Sequence, residues 1–193
     1  LYLAIDAQYD EAARTGKIAG ILFENAHSLK PVSVHITDVT NVQDYEFGSF
    51  YKRELPCIEK LIKAHRLTPS VVIVDGFVDI ASKPCLGAKV YDSFAGQFAV
   101  IGVAKSAHHQ VEMSSCVTRG DSKKPIYVTS IGIEPDDARR FILDCSGKHR
   151  IPTMLKLADS FCRMDLDEGV YHVEKMVRGN LSHFEKVSFH QGL

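Results

Sequence analysis

Apolar and polar positions along this chain fall into short runs, and the period of each run predicts an element. Leu1–Asp6 (LYLAID) is an apolar run that closes on a carboxylate. Lys17–Glu24 (KIAGILFE) and Pro31–Asp38 (PVSVHITD) follow at hairpin spacing, the second alternating with period two. Such alternation marks strands with one covered face, so the first forty residues predict a three-stranded antiparallel meander. Leu55, Ile58, Leu61 and Ile62 then fall on one helical face, with Pro56 placed in the first turn, where a missing N–H costs nothing. Val71–Asp75 (VVIVD) and Phe98–Ala104 (FAVIGVA) are continuous apolar runs of the kind buried on both faces of a parallel sheet. A helix is predicted between them over Leu86–Ala95, a further strand over Pro125–Gly132, and helices near Asp136–Cys145 and Pro152–Met164.

The order βββ-α-β-α-β predicts an α/β protein of ribonuclease H-like fold. Its central sheet should be mixed, three antiparallel strands followed by parallel ones, with helices on its faces. One domain is expected over residues 1–164, followed by a polar tail over 165–193 with a possible helix. A chain of 193 residues is long enough to bury a full core, and 45% hydrophobic with 24% charged residues is an ordinary globular balance. Charge narrows the picture further. With 23 basic and 24 acidic residues the net charge is -1, so any nucleic-acid site must come from local clustering and not from a general basic coat. The five cysteines are scattered, which predicts neither a disulfide framework nor a zinc knuckle and makes a reducing cytoplasm the expected location. No run approaches a membrane span, and no charged-then-apolar leader is present.

The candidate chemistry is carboxylate chemistry. Asp6 and Asp75 each close a predicted strand, and ligand sites in open α/β sheets form at the carboxyl ends of strands. Neighbouring strands lie about 4.8 Å apart. Two such side chains can therefore share a cation whose oxygen ligands sit at about 2.1 Å. Glu54, just before the Pro56 helix, can close over the same edge. Three converging carboxylates repel one another unless a cation joins them, which predicts Mg²⁺, with Mn²⁺ able to substitute. Taken singly, each aspartate reads more readily as the start of a turn, Asp75-Gly76 being a turn dipeptide.

Ordered motifs go further than spacing. Ala4-Ile5-Asp6, Arg53-Glu54-Leu55-Pro56, Val74-Asp75-Gly76 and Gly102-Val103-Ala104-Lys105 are followed by Arg119-Gly120-Asp121, Pro125-Ile126-Tyr127-Val128, Arg150-Ile151-Pro152 and Leu157-Ala158-Asp159. In this order and spacing, from Leu3 to about Asp159, the chain resembles the endonuclease V family. The resemblance implies metal-dependent hydrolysis of a phosphodiester on the 3′ side of inosine or another deaminated base, in DNA or RNA. It matches Asp6, Glu54 and Asp75 to the catalytic, metal-holding carboxylates. Gly76 and Lys105 fall at substrate-binding positions, and Tyr45 falls on the aromatic of a wedge that opens the duplex, a device that base-directed enzymes need. Tyr45 also reads as a half-buried loop aromatic.

The chain departs from the family pattern in three places. Asp44-Tyr45-Glu46-Phe47-Gly48 lacks the two prolines of the wedge, and prolines stiffen a loop by fixing φ. After Val74-Asp75-Gly76 the loop is two residues longer, with Lys83 where the family has a histidine at the substrate. Gly132-Ile133 replaces a Gly-His whose imidazole helps at the metal; Glu134, Asp136 and Asp137 follow, and Asp137 is the expected substitute ligand, although acids there equally suit a helix N-terminus. Three functions therefore stand side by side: an active endonuclease, a weakened or inactive relative that binds nucleic acid or a protein partner, and a nuclease of the same fold with a changed substrate such as single-stranded RNA. No phosphate-cradling G-x-x-x-x-G-K-[ST] loop is present, which argues against nucleotide hydrolysis.

Overall fold

The computed structural model describes residues 1–44, 46, 48–164 and 188–192. Its frame is a meander of three long strands, β1 (Tyr2–Asp10), β2 (Thr15–Phe23) and β3 (Ser33–Thr40), paired antiparallel. Helix α1 (Tyr51–Ala64) crosses back to the apolar strand β4 (Val71–Asp75), which pairs parallel to β1. A small hairpin, β5 (Asp79–Ile80) with β6 (Lys83–Pro84), and helix α2 (Leu86–Ser93) lead to β7 (Ala99–Ala104), parallel to β4. The short β8 (Cys116–Val117) and β9 (Ile126–Ile131) close that side, with β9 antiparallel to β7. Helices α3 (Pro135–Asp144) and α4 (Thr153–Phe161) follow.

The eight-stranded order is β10-β3-β2-β1-β4-β7-β9-β8, where β10 (Ser188–Gly192) pairs parallel to β3. This is the mixed α/β sheet of the ribonuclease H-like fold. Alternation divides the core between its two faces. Ala4, Ile21, Ile73, Ile101 and Val103 pack beneath α3 and α4; Leu3, Ile5, Val72 and Val74 pack beneath α1 and α2. Residues 188–192 of the expected tail belong to the sheet; a helix in that tail would fall on 165–187, outside the described residues.

Two boundaries near the acids differ from expectation. β1 does not stop at Asp6 but runs four residues further, because its antiparallel pairing with β2 continues to Asp10↔Thr15. Its parallel pairing with β4 does end there, at Ile5↔Val74, so Asp6 marks the edge of the parallel sheet within a continuing strand. Helix α1 begins at Tyr51, putting Pro56 beyond the first turn. The loop after Asp75 is held down onto β7 and β9: the Gly76 N–H donates to the Val103 carbonyl of β7 at 3.2 Å and the Val78 N–H to Thr129 Oγ1 of β9 at 2.8 Å. Gly102 makes this possible, since a Cβ there would lie 2.5 Å from the Gly76 carbonyl oxygen.

Candidate functional site

Register brings the first two acids together. Ile5 and Val74 are partners in adjacent parallel strands, so Asp6 and Asp75 are the next residues on each and project to the α4 side of the sheet. Glu54 reaches the same edge from the other side, carried on α1 next to the buried Cys57 and Ile58. All three line one cavity of about 370 Å³, and two further carboxylates line it too, Glu11 and Asp159 of α4. Basic side chains stand around the acids, Arg53, Lys105 and Arg163.

The electrostatics are those of crowded like charge. Burial, then the neighbouring Asp75, pushes the Asp6 carboxyl up to about 6, against the Ala7 N–H that donates to its Oδ1 at 2.8 Å. Burial, then Asp75 and Asp6, pushes Glu54 up to about 8. Two cations relieve part of the repulsion. Lys105 Nζ donates to Asp75 Oδ2 at 2.6 Å, and this pairing raises the lysine's own pKa against the effect of burial. Arg163 holds Asp159 Oδ1 through Nε at 3.0 Å and Nη2 at 2.9 Å, and its Nη1 donates to Gln8 Oε1. The donor set is all oxygen, the chemistry that suits a hard divalent cation. With two of the acids turned to Lys105 and Arg163, no group of three or more His, Cys, Asp or Glu among the described residues stands ready to hold a metal ion.

The remaining candidates divide. Gly76, at φ +144, forms the turn directly after Asp75 and packs toward Phe50. Lys83 is exposed on the small β5–β6 hairpin and does not line the acid cavity. Tyr45 lies outside the described residues, although its neighbours Asp44 and Glu46 are ion-paired to Arg14 and Lys52 at 4.0 and 2.7 Å. Asp137 is not brought to the acids. Because β9 runs antiparallel to β7, with Val100 opposite Ile131, the chain after β9 emerges at the sheet edge away from Asp75. Asp137 is there in the first turn of α3, paired with Arg140 at 3.3 Å. Ile133 shares that edge, packed against the core, so it does not occupy a ligand position and its identity leaves no gap at the acids. The acid that sequence reading passed over is Asp159. Its signal was the Leu157-Ala158-Asp159 motif, which carries no role until α4 is seen to end beside β1.

Comparison with known proteins follows the same lines. The family model described as endonuclease V matches residues 2–123. Curated relatives include an endonuclease V of Xanthomonas oryzae, 23% identical over 179 residues, covering 82% of this chain and 75% of the relative. Another, from Xanthomonas axonopodis, is 26% identical over 122 residues, covering 56% of this chain and 51% of its own length. Among solved structures, the Ciona intestinalis endonuclease V in complex with DNA containing an inosine followed by a ribo-adenosine superposes with a TM-score of 0.66 at 19% identity, covering 86% of this chain and 85% of that one. The Streptomyces avermitilis endonuclease V gives 0.66 at 23% identity over 86% and 81%. At these identities the structural likeness establishes the fold.

Proposed function

The chain belongs to the endonuclease V family, and from that premise we propose that it is a metal-dependent endonuclease that hydrolyses a phosphodiester on the 3′ side of inosine or another deaminated base in nucleic acid. The observation that carries this reading is the grouping of Asp6, Glu54, Asp75 and Asp159 around one cavity, where the parallel pairing of β1 with β4 ends. These four would hold a Mg²⁺ ion, with Mn²⁺ able to replace it. Such a cation supplies an activated water and neutralises charge building on the phosphate. Asp6 and Glu54, which keep their protons above the usual carboxylate range, would release them on taking up the cation, so uptake is proton-coupled. Lys105 and Arg163, which pair with Asp75 and Asp159, would then be available to phosphate oxygens, as are the guanidinium and ammonium groups of nucleic-acid sites generally.

The experiment is cleavage of end-labelled DNA and RNA carrying one inosine, with and without Mg²⁺. Metal-dependent cutting at a single position is expected, with Asp75→Asn and Asp159→Asn each reducing the rate by at least about 100-fold, the scale on which a group acting at the reacting charge is lost. Cutting that ignores inosine, or survives Asp75→Asn, would remove the reading. A second reading is favoured by the Lys105–Asp75 and Arg163–Asp159 pairs, which already satisfy two of the acids: a weakened relative that binds nucleic acid without turnover. It is the outcome if inosine strands bind and remain uncut at millimolar Mg²⁺.

A further inference from the structure

The acids form a partition. Behind them, on the α4 side, lies a second cavity of about 250 Å³ that shares Ile5, Asp6, Asp75, Lys105 and Asp159 with the first. Its character differs. Val103, Ile151 and Leu155 give it aliphatic walls, and His149, Arg150 and Lys156 stand at its rim. Ile151 and Leu155 are only half-buried, so they keep apolar surface turned to this space. Such surface, beside the Arg150 and Lys156 cations, calls for a ligand with an apolar ring and a negative charge. Nothing in the hydrolysis described above uses it.

The cavity is also built to keep its shape. Arg150 Nη1 donates to the carbonyls of Lys105 at 3.1 Å and Pro125 at 3.2 Å. The buried Arg119 holds the preceding loop from inside, donating to the carbonyls of Cys145, Gly147 at 3.1 Å and His149 at 2.5 Å. A strand that lays one phosphate across the acids must continue on both sides of them. We propose that this second cavity seats the nucleoside directly flanking the scissile phosphate, with its base against Ile151 and Leu155 and its next phosphate at Arg150 and Lys156. The volume falls just below the roughly 300–1,000 Å³ of pockets for drug-sized ligands and suits one nucleoside. A free phosphate would leave the aliphatic walls unexplained, and a purely apolar ligand would leave the rim unexplained. The proposal rests on the nuclease reading, because it takes the acids to mark the scissile phosphate.

The test is binding, read by fluorescence anisotropy with Ca²⁺ in place of Mg²⁺. Single strands carry one inosine and are either intact or abasic at one of the two nucleotides flanking the scissile linkage. The wild-type protein is expected to bind one of the two abasic strands about tenfold more weakly than the intact strand, the scale of one stacked base. Leu155→Trp, which fills the cavity, should lose the same factor on the intact strand and nothing further on that abasic strand. Ile151→Trp serves if Leu155→Trp does not fold, and the wild-type comparison needs neither. Equal wild-type affinity for all three strands overturns the proposal, as does an equal loss by both variants on every strand. If a strand without inosine binds as tightly while the flanking effect persists, the inosine reading fails and the pocket stands. Failure to bind any strand overturns both.

Discussion

Ile133 shows how a single residue changes meaning once its surroundings are known. Read against the family pattern it is a missing histidine, and restoring the imidazole would be expected to strengthen metal binding. In the fold it lies past the end of β9, at the sheet edge away from Asp75, with its carbonyl accepting from Ser130 Oγ at 3.1 Å and its side chain against the core. Ile133→His is therefore expected to leave the metal concentration for half-maximal cleavage unchanged. It should cost about 1 kcal/mol of stability, the ordinary consequence of setting a polar ring into an apolar contact. Titrating Mg²⁺ against the cleavage rate of both proteins checks this; a lower requirement in the variant would return position 133 to the metal site. Asp159 is the converse case. Nothing in its local sequence separates it from any helical surface acid, and its ion pair with Arg163 at i,i+4 is the bland arrangement seen on many helices. Its meaning comes from α4 packing on β1, a contact between residues more than 140 positions apart.

At the scale of elements, the parallel core was legible and the edges were not. Val71–Asp75 and Phe98–Ala104 announce themselves because strands buried on both faces must be apolar throughout, and both appear within one residue of their expected limits. The direction of β9 is carried by no residue in it; it goes with antiparallel pairing to both β8 at the sheet edge and β7, and it decides that Asp137 sits at the wrong edge. β10 was unreadable for another reason. Ser188–Gly192 (SFHQG) carries one apolar residue in five and is a strand only because β3 offers it an open edge. Loops are the least legible, yet one determines the site. The turn after Asp75 lies so close on β7 that a methyl at Gly102 would meet three backbone atoms, at 2.5, 2.8 and 3.0 Å. Gly102→Ala should thus cost about 1–3 kcal/mol through overpacking and displace Asp75 as the turn is pushed away. Gly20→Ala is the control. Its Cβ would meet only the Leu61 and Leu3 side chains, at 2.9 and 3.1 Å, which can give way. Denaturant unfolding should show both variants destabilised, while cleavage per folded molecule falls for Gly102→Ala alone. Equal cleavage by the two would mean that the turn does not position the acid.

For the molecule as a whole, the far edge of the sheet couples stability to pH. His35 on β3 is buried, its ring stacked 4.8 Å from His190 of β10 and 4.8 Å edge-on from His65, the residue that caps α1. Ser33 Oγ lies 2.8 Å from its Nε2, and among the described residues its Nδ1 has no partner. Burial, then His65 and His190, lowers its pKa from 6.5 to about 4; burial lowers that of His65 as well. A buried imidazole between two others is thus kept neutral, whereas in the unfolded chain it protonates at its ordinary value. Between pH 6.5 and about 4 the unfolded state binds more protons than the folded one, so stability rises with pH across this window. The contribution is complete above 6.5, and falls away progressively as acid is added until the folded-state pKa is reached. At 1.36 kcal/mol per unit, the His35 shift bounds the loss at roughly 3 kcal/mol. The carboxylates at the opposite edge act with the other sign: Asp6 and Glu54 are raised, so holding their protons favours the folded state at low pH and its loss weakens it as pH rises through about 6 and 8. The windows overlap, so the two acids offset the His35 contribution over most of pH 4 to 6.5, and that contribution is read as the difference in stability between the wild type and a variant without the imidazole. His35→Phe, which keeps an aromatic ring in the stack and removes the titration, should make the wild-type-minus-variant stability rise with pH between about 4 and 6.5 and stay level above. Were that difference constant across the window, the pH dependence would have to originate outside the three-histidine stack that joins β3, α1 and β10.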